Sequence, residues 1–276
     1  MATISAADIA RLRRMTLAGM MDCKKALEEA EGNFEKAVEI IRKKGQSVAN
    51  KRADREASEG VVLARVSDDG KRGIMIVLNS ESDFVAKNAE FVGFANQILD
   101  LAMKSNPADL EELKSLPMDG VTVGEKVVEY IGIIGEKLEL SAYYRIEAPF
   151  VQAYIHPGNK LAALTGFDRA GLDQQVYKDV VMQVAAMNPV AVDKGDVPQS
   201  VIDQELEIGR EQARREGKPE AMLEKIAQGK LAKFYKESTL LNQDFIKDSK
   251  ITVGQYLKTA GDSLKVTGFE RHSLTI

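Results

Sequence analysis

Apolar residues recur along this chain in two rhythms, one of three to four residues and one of two. Residues 1–45 keep the helical rhythm. Ile9 and Leu12 mark a first short helix, with Ser5 placed to cap it and Asp8 favouring the same start. Gly19-Met20-Met21 is a tight connection into a second helix, Asp22 to Ala30, which Gly32-Asn33 breaks. Phe34, Ala37, Val38 and Ile41 form the stripe of a third helix that ends at Lys44, with Gly45 as its C-cap. So small a unit makes a marginal core, and it is expected to dock rather than to catalyse. Residues 46–59 are polar and charged, and a helical or flexible linker is expected there.

From Gly60 the rhythm shortens. Gly60 to Val66 alternates as a strand, Asp68-Asp69-Gly70 turns, and Gly73 to Leu78 returns as a buried strand. The helix Ala89 to Met103 follows, with Phe91, Phe94, Ile98, Leu99 and Ala102 on one side. The pattern then recurs: Phe150 to Ile155, a turn at Pro157-Gly158-Asn159, Leu161 to Phe167, and a helix marked by Val176, Val180, Val181, Val184 and Met187. Hairpin then helix, twice, predicts an α+β fold with two related core subdomains, 60–147 and 148–196 with 237–276. Between the two repeats, Thr122-Val-Gly-Glu125 is a capping-box helix start, and Leu138 to Ile146 reads as a third strand feeding the second unit. Residues 197–236 predict a protruding helical hairpin, or coiled coil. Ile202, Leu206 and Ile208 run up it, Gly217-Lys218-Pro219 turns, and Met222, Leu223, Ile226, Leu231 and Phe234 run back. Thr252-Val-Gly-Gln255 is a second capping box, and Val266 to Phe269 a short strand.

Composition narrows the function classes. The 276 residues suit about two domains, at 44% hydrophobic and 29% charged. A net charge of −4, short basic runs and no tryptophan disfavour a nucleic-acid role. No apolar run approaches membrane-spanning length, and the first residues do not resemble a secretory leader. The one cysteine, Cys23, cannot form an internal disulfide and fits a reducing cytoplasm. There is no phosphate-binding glycine loop; Gly132-Ile-Ile-Gly-Glu-Lys137 has the wrong spacing. Cys23, His156 and His272 are too few for a His/Cys zinc site. Cys23 with His156 would be a poor nucleophilic pair, and a buried structural thiol is expected instead. No catalytic site, metal or cofactor is expected.

One segment stands out. Asn79-Ser-Glu-Ser-Asp-Phe-Val-Ala-Lys-Asn88 joins the buried strand to the following helix and places Asp83 beside Phe84. Such junctions sit on rigid scaffolds and often carry function. The ring either folds back into its own core or is presented to fill a partner's pocket.

The chain resembles bacterial elongation factor Ts over nearly its full length. The resemblance rests on Gly19-Met-Met-Asp-Cys-Lys-Lys-Ala-Leu27 and Ser82-Asp-Phe-Val-Ala-Lys87, supported by Tyr154-Ile-His156, Gly217-Lys-Pro219, Thr252-Val-Gly254 and Val266-Thr-Gly-Phe269. Ser82 stands where the family usually has threonine. The resemblance implies a ubiquitin-associated-like helical domain, a two-part α+β core and a protruding coiled coil. It also implies guanine-nucleotide exchange on elongation factor Tu, with release of GDP and magnesium. By this resemblance Arg13, Met20 and Met21 are N-terminal contacts. Ser82, Asp83, Phe84 and Val85 form the intruding loop, and His156 lies on a second contact surface facing the partner's third domain. Many members carry a further C-terminal helix; the sequence ends at Ile276, so exchange is expected to rest on the Asp83-Phe84 loop and the second subdomain. Two rival readings are an adaptor docking on another partner without changing nucleotide release, and a small hydrolase using Cys23.

Overall fold

The computed structural model describes residues 4–259 and 264–275. Helices α1 (Ala6–Thr16), α2 (Met20–Glu29) and α3 (Phe34–Arg52) open the chain. Ser5 and Asp8 form a reciprocal capping box at α1, and Asn33 caps α3 through the Lys36 amide. Leu12, Cys23, Ala26, Leu27 and Ala37 make a small buried core between the helices. α2 starts at Met20, so both methionines stand in its first turn.

α3 does not stop at Gly45, as a C-cap reading would have it; it runs on to Arg52, through the first half of the expected linker. Gly45 is buried and serves a close approach instead. A Cβ on Gly132 would lie 2.5 Å from the Gly45 Cα, so the two helices cross almost backbone to backbone. Val48 and Ala49, further along α3, pack against the main core. That packing continues the helix beyond the glycine.

The body follows in chain order as β1 (Glu59–Val66), β2 (Arg72–Ser80), α4 (Asp83–Ala86), α5 (Ala89–Ser105), α6 (Leu110–Ser115), β3 (Pro117–Met118), β4 (Val121–Thr122), α7 (Val123–Ile134) and β5 (Leu138–Glu147). Next come β6 (Phe150–Ile155), β7 (Leu161–Phe167), α8 (Gln174–Met187), α9 (Gln199–Arg215), α10 (Glu220–Ser238), β8 (Asp244–Phe245), β9 (Asp248–Thr252), α11 (Val253–Thr259) and β10 (Val266–Ser273). One antiparallel sheet has the order β1-β2-β5 and a second the order β10-β7-β6. β5 pairs with β2 from Ser80↔Leu138 to Arg72↔Glu147, so it completes the first sheet and does not feed the second unit. Leu138 and Leu140 join the first sheet's core, which is what holds the strand there.

The sheets pack against each other through Val62, Ala64, Met75 and Val77 on one side and Val151, Ala162 and Leu164 on the other. Alternate residues Val61, Leu63, Ile74, Ile76 and Leu78 face a cluster with Phe91, Phe94 and Ile98 of α5 and Val127 of α7. Burial on both faces explains why β2 reads as an unbroken apolar run. Ala163 and Phe167 cover the far side of the second sheet with Val180 and Val184 of α8, while Met187 at the end of that helix is exposed. The fold is thus α+β.

α9 and α10 pack against each other. Their seam runs through buried Gly209, Ala213, Leu223, Ala227 and Leu231. Ile208 and Met222, expected in that seam, are exposed. A Cβ at Gly209 would stand 3.0 Å from the Ala227 Cα, so small residues set the approach, and Ile208 lies roughly 100° round the helix from it.

Candidate partner-binding site

The turn between β2 and α5 is built from fixed hydrogen bonds. Ser82 is the N-cap of α4: its hydroxyl oxygen accepts from the Val85 amide at 3.4 Å. The same hydroxyl donates to the Glu136 carboxylate at 2.6 Å, and the Ser82 amide donates to the other Glu136 oxygen at 3.0 Å. The neighbouring Glu81 accepts from the Lys137 amide at 2.6 Å and from Arg52 and Arg55 at 2.8 and 3.0 Å. Burial pushes the Glu81 carboxyl up, yet the Lys137 amide and the two guanidinium groups outweigh it and hold it at about 2. Val85 and Ala86 turn inward, Val85 against the main core. Phe84 turns outward and is 83% exposed, more than any other exposed large apolar side chain among the described residues. The core-filling alternative for Phe84 therefore fails.

Asp83 pairs with Lys87 one turn on, at 2.6 Å. The Lys87 hydrogen bond holds the Asp83 carboxyl below its usual range, with help from the charge of Lys160. Asp83 and Lys87 line a cleft of about 570 Å³ with His156, Lys160, Ile246 and Arg271. The structure thus brings the Asp83 turn and His156 to one concavity. His156 is exposed at the β6–β7 turn, its Nδ1 2.9 Å from the Tyr154 hydroxyl.

Arg13, Met20 and Met21 are not part of that cleft. They are exposed on the N-terminal helices, as are Met15 and Leu17. Leu17 has φ 56° and closes α1 by donating its amide to the Arg13 carbonyl. Cys23 is buried beneath, its Sγ 3.5 Å from the Ala18 carbonyl and 3.8 Å from the Thr16 hydroxyl. The nucleophilic reading thus has no exposed thiol to rest on.

Comparison with known proteins decides the family. Residues 81–275 match the model of the family described as Elongation factor TS. A protein of Porphyromonas gingivalis named Elongation factor Ts is 55% identical over 268 residues, 97% of each chain. Those of Christiangramia forsetii and Cytophaga hutchinsonii are 51% and 48% identical, covering 99% and 100% of this chain and 100% of their own. The chain belongs to the elongation factor Ts family. The role of that family, guanine-nucleotide exchange on elongation factor Tu during translation elongation, is therefore its role. It is an exchange factor.

For an elongation factor Ts, the residues missed in the sequence are as informative as those found. Glu81, Glu136 and Lys137 hold the Phe84 turn; Glu81 lies in the Asn79–Asn88 segment without a role of its own being expected, and Glu136 and Lys137 figure in the sequence only as part of a glycine-containing stretch of the wrong spacing. Gly135 is the C-cap of α7 at φ 79°, and it turns the chain so that Glu136 meets Ser82. No local pattern signals this, because the partners are 54 residues apart. No described helix is long and apolar enough to cross a membrane.

Proposed function

We propose that this chain loosens GDP from elongation factor Tu by pressing the Asp83-Phe84 turn against the partner's nucleotide-binding domain, near its magnesium site. Phe84 is the anchor and Asp83 its charged companion. Ser82 and Val85 fasten the turn to the core. Arg13, Met20 and Met21 add a second contact on the same partner domain, and His156 meets the partner's third domain. The working units are the helical module 1–45, the two core parts 60–147 and 148–196 with 237–276, and the coiled coil 197–236. The work is done in the cytoplasm, without cofactor, nucleic acid or membrane.

The observation behind this reading is the 83% exposure of a phenylalanine whose neighbours Val85 and Ala86 face the core. A ring held out on a clamped turn loses little ordering entropy on docking. A buried aromatic anchor is worth about 2 kcal/mol or more on truncation. Phe84→Ala is therefore expected to slow stimulated GDP release roughly 30-fold, at 1.4 kcal/mol per tenfold. Its melting temperature should match the parent's, since the ring fills no core. Release of fluorescent GDP from elongation factor Tu checks this; a parental rate rejects the wedge.

A further inference from the structure

We infer that Glu136 is the positioning residue of the exchange turn, and that Glu81 ties that turn to α3. This rests on the reading of Phe84 as the anchor. A short turn carrying an exposed ring needs something to hold its direction. Here the hold is a crossed pair of carboxylate bonds between two chain segments. Glu136 accepts from the amide and the hydroxyl of Ser82, at 3.0 and 2.6 Å. In return Glu81 accepts from the amide of Lys137 at 2.6 Å. Ser80 adds a bond from its hydroxyl to the Ser82 carbonyl at 3.0 Å.

Glu136 does more than fill space. By accepting the hydrogen bond that the Ser82 hydroxyl donates, it turns that O–H away from the Val85 amide and aims an oxygen lone pair at it, the capping bond of α4. An alanine at 136 removes both acceptors. A glutamine keeps one acceptor and presents an amide N–H₂ in place of the other, so it preserves the attachment in part.

The second arm reaches the N-terminal helices. Arg52 and Arg55, at and just beyond the end of α3, bind Glu81. The Lys137 ammonium donates to the carbonyls of Ala53 and Arg55, each at 2.9 Å. Earlier on α3, Arg42 pairs with Glu129 of α7 at 2.7 Å, beside the Gly45–Gly132 crossing. Lys44 pairs with Asp22 of α2, the helix that presents Met20 and Met21. The Phe84 turn and the first turn of α2, with Met20 and Met21, are thereby fixed to one continuous helix.

The test combines a double-mutant cycle with an observation on the free protein. Glu136→Ala is expected to lower the maximal rate of stimulated GDP release about tenfold, with little change in the concentration for half effect or in melting temperature. Glu136→Gln should recover part of that loss. In a Phe84→Ala background, Glu136→Ala should cost less than about twofold, because it acts through the ring. Without any partner, amide hydrogen exchange at Ser82 and Val85 should speed up in Glu136→Ala and remain unchanged in Phe84→Ala. Equal losses in both backgrounds, or unchanged exchange at those amides, would overturn the positioning role. A parental rate for Phe84→Ala alone would instead strike the anchor reading and leave the amide result to judge the clamp.

Discussion

Phe84 and Glu81 show how one short segment divides its labour residue by residue. The ring faces solvent while the acid beside it is held by three donors. The folded Glu81 carboxyl is held at about 2 against an ordinary 4.5. A depressed folded value means the stabilisation is fully present above the unfolded value and is lost as pH falls through the folded one. Acid unfolding should therefore include a loss between about pH 4.5 and 2, and Glu81→Gln should flatten that part of the curve. Stability measured by urea titration across this interval checks it; parallel curves would contradict it. By contrast, the exposed Asp83–Lys87 pair should add little to stability. Of this site, the Ser82-Asp83-Phe84-Val85 run was legible because strand, polar turn and helix adjoin in sequence. The direction of Phe84 was not, since burial depends on what lies opposite. Glu136 was illegible for a related reason: its importance exists only once residues 54 positions apart meet.

At the scale of elements, the crossing of α3 and α7 separates two glycines that look alike in sequence. A Cβ on Gly132 would lie 2.5 Å from the Gly45 Cα, whereas a Cβ on Gly45 meets only ordinary contact, the nearest atom being the Val128 carbonyl oxygen at 3.5 Å. Gly132→Ala should thus destabilise by about 1–3 kcal/mol, as overpacking does. Gly45→Ala should be neutral or stabilising by up to about 1 kcal/mol, the helix-propensity gain. Thermal melts of the two variants decide this, and equal effects would contradict the crossing. The capping boxes at Ser5, Thr122 and Thr252 were readable because each is satisfied within three residues. The end of α3 was misread because glycine is also the usual C-cap. The correcting signal was present in the spacing Ile41, Gly45, Val48, Ala49, Arg52: Ile41 packs on the N-terminal cluster, Gly45 on α7, Val48 and Ala49 on the main core, and Arg52 on Glu81. It was masked by the polar residues between them. The hairpin was misread at Ile208 in the opposite sense, because a large apolar residue outranks a glycine in any hydrophobic pattern although Gly209 holds the seam.

Over the whole molecule, two small sheets lie face to face with helices outside, and this arrangement brings two turns together. The β2–α5 turn from the first sheet and the β6–β7 turn from the second meet at one cleft holding Asp83 and His156. The hairpin-helix repeat was visible in the sequence; the meeting of the two turns was not, because it depends on how the sheets stack. An exchange factor must bind the nucleotide-free partner more tightly than the nucleotide-bound one, and the coupling is reciprocal. If Phe84 supplies that difference, it must contact the partner chiefly when nucleotide has left. The most direct measurement is the affinity of this chain and of Phe84→Ala for elongation factor Tu, each with and without saturating GDP and magnesium. The parent should bind the nucleotide-free partner far more tightly than the GDP-bound form, and Phe84→Ala should shrink that ratio by roughly 30-fold, matching about 2 kcal/mol. Equal affinities of the parent for the two forms, or a ratio untouched by Phe84→Ala, would contradict the account.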